Sequence, residues 1–445
     1  MALVGHLHFL TPGGPLDHLQ RPEDSLERLT AREMDLRAAL RHAPAWERRL
    51  YALFSGGDEG VDDWIRWHEE LAEVSTSPDV ELSRLILLSE TRQTEALRAG
   101  LDDWVDTDSG AMRRKGWIAA AYLEPSVDRA AGRAHIMEVR DELPAGWFAD
   151  ALVARLGRRS GDAVARLQAE SAIAARGAGL LRRWRTVEAA GLLLAAAGLV
   201  VLGVMLVTHA DPRAAQPPMP DGFSLADGYA LFVRGALGFL ALGSGFGLMV
   251  PDESALNALA GPASVAPILL WAARYLRARG LSLTAAFGLA PGRGRVVTVA
   301  WATVALVGLQ LAGEGLIGAA LDALHLSSHW ADGLQENLIW GSWGLVARET
   351  IDSAFWAPLG EEVAFRGVLY PALRARFGVA PATALSAAVF AAAHGYEVLG
   401  FAAVFWSGVL WAAAYERTGS LWPCIIAHAA GNLAATAGVL ALLRL

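Results

Sequence analysis

Residues 187–209, VEAAGLLLAAAGLVVLGVMLVTH, form an apolar run with a single carboxylate, Glu188, near its start. At about 1.5 Å per residue, some 20 apolar residues of helix cross the ~30 Å hydrocarbon core of a bilayer. Lipid offers the backbone no hydrogen bonds, so a lone apolar segment can satisfy itself there only as a helix. Further segments read the same way: 228–250, 256–276, 296–320, 351–370, 382–397, 398–415 and 421–443. Several are short or carry polar side chains, and the expectation is about 7–8 spans. The later part of the chain is thus constrained to a polytopic membrane helix bundle.

The earlier part differs. Residues 1–185 hold most of the Asp, Glu and Arg, interleaved with leucines at helical spacing, as in DSLERLTAREMDLRAAL with Leu26, Leu29 and Leu36. Turn signals fall at SGG (55–57) and DTDSG (106–110). Trp46, Trp64, Trp67, Trp104, Trp117 and Trp147 are the candidate anchors of a helical core. His68, beside Glu69 and Glu70, reads as part of a solvated helix face rather than a metal site. The fold expected is all-α: a soluble α-helical domain over 1–180, without catalytic residues, followed by a membrane domain over 181–445.

Composition excludes several classes. A net charge of −8 without a basic stripe argues against nucleic-acid binding. One cysteine, Cys424, excludes an internal disulfide and any multi-cysteine zinc site. The first 30 residues lack the basic start and long apolar stretch of a signal peptide, so the amino-terminal domain is expected in the cytoplasm. RRWR (182–185), the basic loop 274–295 and Arg374 with Arg376 are the candidate cytoplasmic edges. Three spans lie between the first two of these, which puts both on one side only if 251–276, with Pro251, Pro262 and Pro267, does not fully cross. GSGFG (243–247) suits close helix packing, and HLSSHWADGLQENLIWGSWG reads as an interfacial loop on the far side.

The polar residues inside the apolar segments carry the chemistry. A charge at mid-bilayer costs about 2.5–3.5 kcal/mol on insertion scales, so such residues are paired or functional. PLGEEVAFRG (358–367) places Glu361, Glu362 and Arg366 within six residues. Glu362 and Arg366, four apart, share a helix face and can pair. Glu361 projects about 100° away from them. FAAAHG sets Phe390 and His394 four apart, and HAAGN does the same for His428 and Asn432. Three apolar helices with such polar faces are hard to explain as packing. A carboxylate and an imidazole can hold and deprotonate a water. A second imidazole and an amide can donate to a developing oxyanion. No Ser or Cys is suitably placed as a nucleophile, and Cys424, one turn before His428, has no evident role.

EEVAFR (361–366), FAAAH (390–394) and HAAGN (428–432), in this order, resemble the motifs of the CPBP family, the CAAX-protease and bacteriocin-processing intramembrane endopeptidases. YERTGSLWPCIIAHAAGN (415–432) and AAFGL (285–289) add to the resemblance, which covers roughly 280–445. It implies that Glu361 activates water with the help of His394, that His428 and Asn432 stabilise the oxyanion, and that Glu362 and Arg366 orient the site. No cofactor is expected. Zinc is the alternative, with Glu361, His394 and His428 as its ligands. The cavity is expected to open toward the cytoplasm, in a multi-pass protein of the cell (inner) membrane.

The expected partners are a protein or peptide substrate at the membrane, with a lipidated or hydrophobic carboxyl terminus as one case, the bilayer, and a protein bound by the amino-terminal domain. The alternative function is a non-proteolytic membrane adaptor that binds without cutting. A transporter with a proton relay would spread carboxylates over many spans, whereas here they gather on the late helices, with Glu314 the main exception.

Overall fold

The structure, a computed structural model, describes residues 16–55, 59–104, 109–208, 222–250, 254–290 and 293–445. Among these residues every regular element is helical. The chain divides into two compact units, one mainly Leu19–Thr186 and the other mainly Val187–Leu440. Most of the expected turns at 55–57 and 106–110 and the Pro-rich stretch after 209 lie outside the described residues.

In the first unit the helices run from Pro22–Leu40 to Trp147–Arg159, and the chain then enters Ala163–Val207. Local chemistry starts several of them. Ser77 accepts from the backbone N–H of Asp79 just before Pro78, and Asp128 accepts from Ala130 and Ala131, so orphan first-turn donors are satisfied. The core collects Leu82, Leu85, Ile86, Trp117, Val139, Leu152 and Leu156. Trp117 and Trp147 are buried in it, and Trp64 and Trp104 pack against it. Trp46 is 66% exposed and anchors nothing there. Arg176 joins Asp35 at 2.8 Å and Asp150 at 2.6 Å, linking Pro22–Leu40 to the consecutive helices Trp147–Arg159 and Ala163–Val207.

His68 corrects the solvated-face reading. It is 1% exposed, and its Nδ1 donates to the Trp64 carbonyl at 2.8 Å. Charged Glu69 and Glu70 directly after it masked an inward-facing ring, because a helix turns successive residues by about 100°. Burial pushes its pKa down to about 4.

Among the described residues, six helices are long and apolar enough to cross a membrane: Ala163–Val207, Leu225–Met249, Leu256–Arg277, Val296–Ala323, Val398–Thr418 and Trp422–Arg444. Val379–Ala392 is a shorter apolar helix. The chain is a multi-pass membrane protein. The segment expected as span 351–370 lies within an uninterrupted helical run, 343–377, broken into α and π turns rather than forming one regular helix. Leu256–Arg277 has the length to cross despite Pro267.

Small residues let these helices approach. A side chain on Gly198 would meet Gly308 at 2.4 Å, and one on Gly238 would meet Pro267 at 2.5 Å. Gly245 and Gly247, in the stretch expected to pack, face open space instead. Arg374 forms a bidentate pair with Glu416 at 2.7 Å, and Tyr370 donates to the same carboxylate. These contacts fasten the end of the 343–377 run to Val398–Thr418.

The first unit should lose stability with acid through His68. Its unfolded imidazole, near pH 6.5, binds a proton that the folded ring, near 4, refuses. The contribution is therefore whole above pH 6.5 and falls by about 3 kcal/mol as pH drops toward 4. Glu27, pushed up to about 7 by burial, acts oppositely over much of this window. The clean measurement is the difference in urea midpoint between wild-type and His68→Gln protein at pH 7 and pH 4.5. Wild type should lose ground to the variant on acidification, and a constant difference would contradict this assignment.

Candidate active site

The run 343–377 delivers both glutamates and the arginine. It is α-helical through Trp343–Ile351, makes a π turn at Asp352–Trp356, returns to α at Ala357–Glu362 and makes a second π turn at Val363–Leu369. Such irregular turns are frequent at functional sites. Here one begins directly after Glu362 and contains Arg366.

Glu362 and Arg366 are both fully buried, and Arg366 Nη1 donates to Glu362 Oε1 at 3.0 Å, as their four-residue spacing predicts. The same oxygen accepts from His428 Nδ1 at 3.0 Å. The pair is therefore a three-membered unit that binds the 343–377 run to Trp422–Val439. Arg366 Nε and Nη2 have no hydrogen-bond partner among the described residues. The guanidinium instead lies over Phe390, 4.2 Å from the ring centroid, and over Trp411 at 4.9 Å, where the ring quadrupoles stabilise its charge. Gly408 admits it, since a side chain there would come within 3.2 Å of Arg366 Nη2.

His428 stacks on Trp411 at 4.3 Å, with Nδ1 on Glu362 and Nε2 3.8 Å from Glu361 Oε2. His394 donates from Nδ1 to the Phe390 carbonyl at 2.8 Å, which leaves Nε2 as an acceptor, 3.9 Å from the same Glu361 oxygen. Phe390 packs edge-on against both imidazoles, at 4.7 Å and 6.0 Å. Glu361 and His394 are the more exposed members, at 22% and 16%. Asn432 donates to the Ser353 carbonyl at 2.7 Å, in the first π turn. Five of the six expected residues thus form one connected cluster. Asn432 bonds instead to a carbonyl of the glutamate-bearing run.

AAFGL supports the cluster from behind. Gly288, at φ +61°, lies against Gly419, where any side chain would strike the carbonyl oxygen. Leu421 N–H donates to the Phe287 carbonyl and Ser420 to that of Gly288. These bonds set the turn from which the His428 helix starts, while Phe287 packs against Gly367 in the π turn. Cys424 is buried, and its thiol donates to the Trp411 carbonyl at 3.2 Å.

The basic turn around Arg374 and Arg376 and the His394 imidazole lie at opposite ends of Val379–Ala392, a 14-residue helix of about 20 Å.

Zinc ligands at about 2.0–2.1 Å in tetrahedral geometry sit roughly 3.3 Å from one another. The carboxylate and imidazoles of Glu361, His394 and His428 have the right chemistry, but their atoms at 3.8 and 3.9 Å do not close to that sphere. Among the described residues no group of three or more His, Cys, Asp or Glu is placed to hold a metal ion. The same gaps are too long for a direct N–H···O bond. They are nearer the spacing of two groups that share one water, roughly 4–4.5 Å.

Residues 343–434 match the family model described as type II CAAX prenyl endopeptidase Rce1-like. The chain carries a Rce1-like CAAX endopeptidase domain. That domain, consistent with the CPBP family, belongs to a family of hydrolases and contains all six motif residues. Neither a curated protein nor a solved structure matches the chain. A Rce1-like domain on membrane-length helices supports intramembrane endopeptidase activity. Sequence reasoning missed Trp411 and the Ser353 carbonyl. Trp411 lies among other apolar residues without a motif, and the carbonyl's partner depends on a backbone irregularity that composition does not signal.

Glu362→Gln should destabilise the Rce1-like domain by about 3–5 kcal/mol, because it strands a buried guanidinium. Its unfolding midpoint in detergent should fall by several degrees. Glu362→Leu combined with Arg366→Met should recover most of that loss and still not restore cleavage. A double variant as unstable as the single one would show that charge pairing is not what the cluster contributes.

Proposed function

We propose that the chain hydrolyses a peptide bond of a membrane-associated or hydrophobic-tailed substrate with water activated by Glu361 and His394. The observation that carries this reading is the convergence of the two imidazole Nε2 atoms on one oxygen of Glu361, at 3.8 and 3.9 Å. In the reading proposed, a water held there gives a proton to Glu361, and its oxygen attacks the scissile carbonyl. Collapse of the tetrahedral adduct breaks the C–N bond, and the proton on Glu361 passes to the leaving amine.

The two histidines differ in what holds them. His394 is fixed by a backbone carbonyl, which suits a neutral ring whose Nε2 accepts from the water. His428 is fixed by a carboxylate, which suits a ring that carries charge. Two carboxylates and one guanidinium leave the cluster one negative charge, and a proton on His428 balances it. A charged His428 could then donate from Nε2 to the oxyanion. Asn432 would be the second donor, through the amide hydrogen not directed at Ser353. Glu362 and Arg366 are positioning residues in this scheme, since they act through His428.

The substrate class follows from the family name: a protein whose carboxyl-terminal region meets the membrane, with a prenylated cysteine as the first candidate. We further propose that the unit formed mainly by Leu19–Thr186 is a cytoplasmic docking domain for a protein partner, and that the chain resides in the cell membrane.

The test is cleavage of a farnesylated carboxyl-terminal peptide and its unlipidated counterpart by purified protein in proteoliposomes. Glu361→Gln and His394→Ala should each lower the rate by at least about 10²-fold. Asn432→Ala should cost about 10²–10³-fold, as loss of an oxyanion donor does elsewhere. A strong chelator should leave the rate unchanged. Loss of rate with chelator and recovery with zinc would replace the water scheme by a metal-dependent one. Wild-type cleavage by Glu361→Gln at equal folded concentration would remove Glu361 as the base, and no cleavage by the wild-type protein would leave the adaptor reading.

A further inference from the structure

In the hydrolytic reading above, the oxyanion meets two donors, His428 Nε2 and the second amide hydrogen of Asn432. The Glu361 carboxylate only accepts, His394 Nε2 accepts, and Asn432 commits an amide hydrogen to Ser353. A tetrahedral intermediate needs donors aimed at its oxygen. Another polar side chain stands beside His394, outside the motifs. Tyr396, two residues on in the turn after Val379–Ala392, inclines its ring against the His394 imidazole at a centroid separation of 5.6 Å.

Two glycines clasp that ring. A side chain on Gly400 would come within 2.6 Å of Tyr396 Cβ, and one on Gly333 within 3.1 Å of its Cε1. Gly333, at φ +69°, also needs the conformational freedom that only glycine has at low cost. Neighbouring backbone fixes the same corner: His329 N–H donates to Glu397 Oε2 at 2.7 Å, Glu397 N–H to Asp332 Oδ2 at 3.2 Å, and Leu399 N–H to Ser328 Oγ at 3.3 Å. The ring is thus held without any hydrogen bond from its hydroxyl to a described residue. That hydroxyl lies within electrostatic range of Glu361 and Asp332. A phenol keeps its proton at neutral pH and donates well. A tyrosine kept only for packing would need no hydroxyl at this position.

We propose that Tyr396 is a further catalytic residue, whose hydroxyl donates a hydrogen bond to the scissile carbonyl oxygen as it becomes an oxyanion. This rests on the hydrolytic reading above. It makes the loop pairing 328–333 with 396–400 part of the active site: the loop fixes the ring so that the hydroxyl is spent on substrate alone. No bond to Tyr396 forms or breaks beyond the hydrogen bond, and the proton inventory of the hydrolysis is unchanged.

The experiment compares kcat and KM of wild type, Tyr396→Phe, Tyr396→Ala and Glu361→Gln on the peptide cleaved by wild type, in proteoliposomes, with unfolding midpoints in detergent. Tyr396→Phe preserves the ring in its glycine clasp, so its midpoint should match wild type. Its kcat should fall by about 10²–10³-fold with little change in KM. Wild-type kinetics for Tyr396→Phe, with only Tyr396→Ala impaired, would make the ring a packing element and overturn the proposal. A raised KM at unchanged kcat would overturn it as well, because it marks a contact equally strong in substrate and transition state. Glu361→Gln separates the two readings. If it is inactive while Tyr396→Phe is normal, only the tyrosine assignment fails. If it cleaves like wild type, the hydrolytic scheme itself fails.

Discussion

One oxygen atom, Oε1 of Glu362, holds the membrane unit's polar centre together. It accepts from Arg366 on its own helical run and from His428 on another, both at 3.0 Å and both out of reach of solvent. In a low-dielectric interior a carboxylate, a guanidinium and an imidazole are each costly alone and tolerable only together. The arrangement is therefore restrictive: if Glu362 moves, Arg366 and His428 both lose their partner. That restriction fixes the register between the 343–377 run and Trp422–Val439, and with it the position of His428 Nε2 relative to Glu361.

Aromatic rings and small residues make the arrangement physically accessible. Phe390 and Trp411 cover the guanidinium where no protein acceptor does, and Trp411 also backs the His428 ring. Gly408 removes the side chain that would displace Arg366, and Gly367 lets Phe287 press on the π turn. Two π turns in the glutamate-bearing run re-aim its side chains. The first also presents the Ser353 carbonyl to Asn432. Regular helices would satisfy their own backbone more simply, so the departures are concentrated where side chains from several helices must meet.

The amino-terminal unit is built by a different rule. Its helices are held by an apolar core and by bridges between distant carboxylates and arginines, such as Asp35–Arg176–Asp150 and Glu90–Arg155. None of the motif residues lies in it. His68 illustrates how easily a helix conceals its inward face when its neighbours in sequence are charged.

Residue identity and spacing determined a good deal. Apolar runs of bilayer length require helices, because lipid leaves the backbone no other way to bond. Charged residues within such runs require partners, and the four-residue spacing of Glu362 and Arg366 names one such pair, since helical geometry is local. The motifs at 361–366, 390–394 and 428–432 likewise picked out the residues that cluster. Tertiary structure decided the rest. That His428 shares the Glu362 oxygen, that Asn432 turns to Ser353, that Gly245 and Gly247 face outward while Gly198 meets Gly308, and that Tyr396 stands beside His394 all depend on how helices far apart in the chain are rotated against one another. That rotation is set by many packing contacts at once, and no local pattern of residues encodes it.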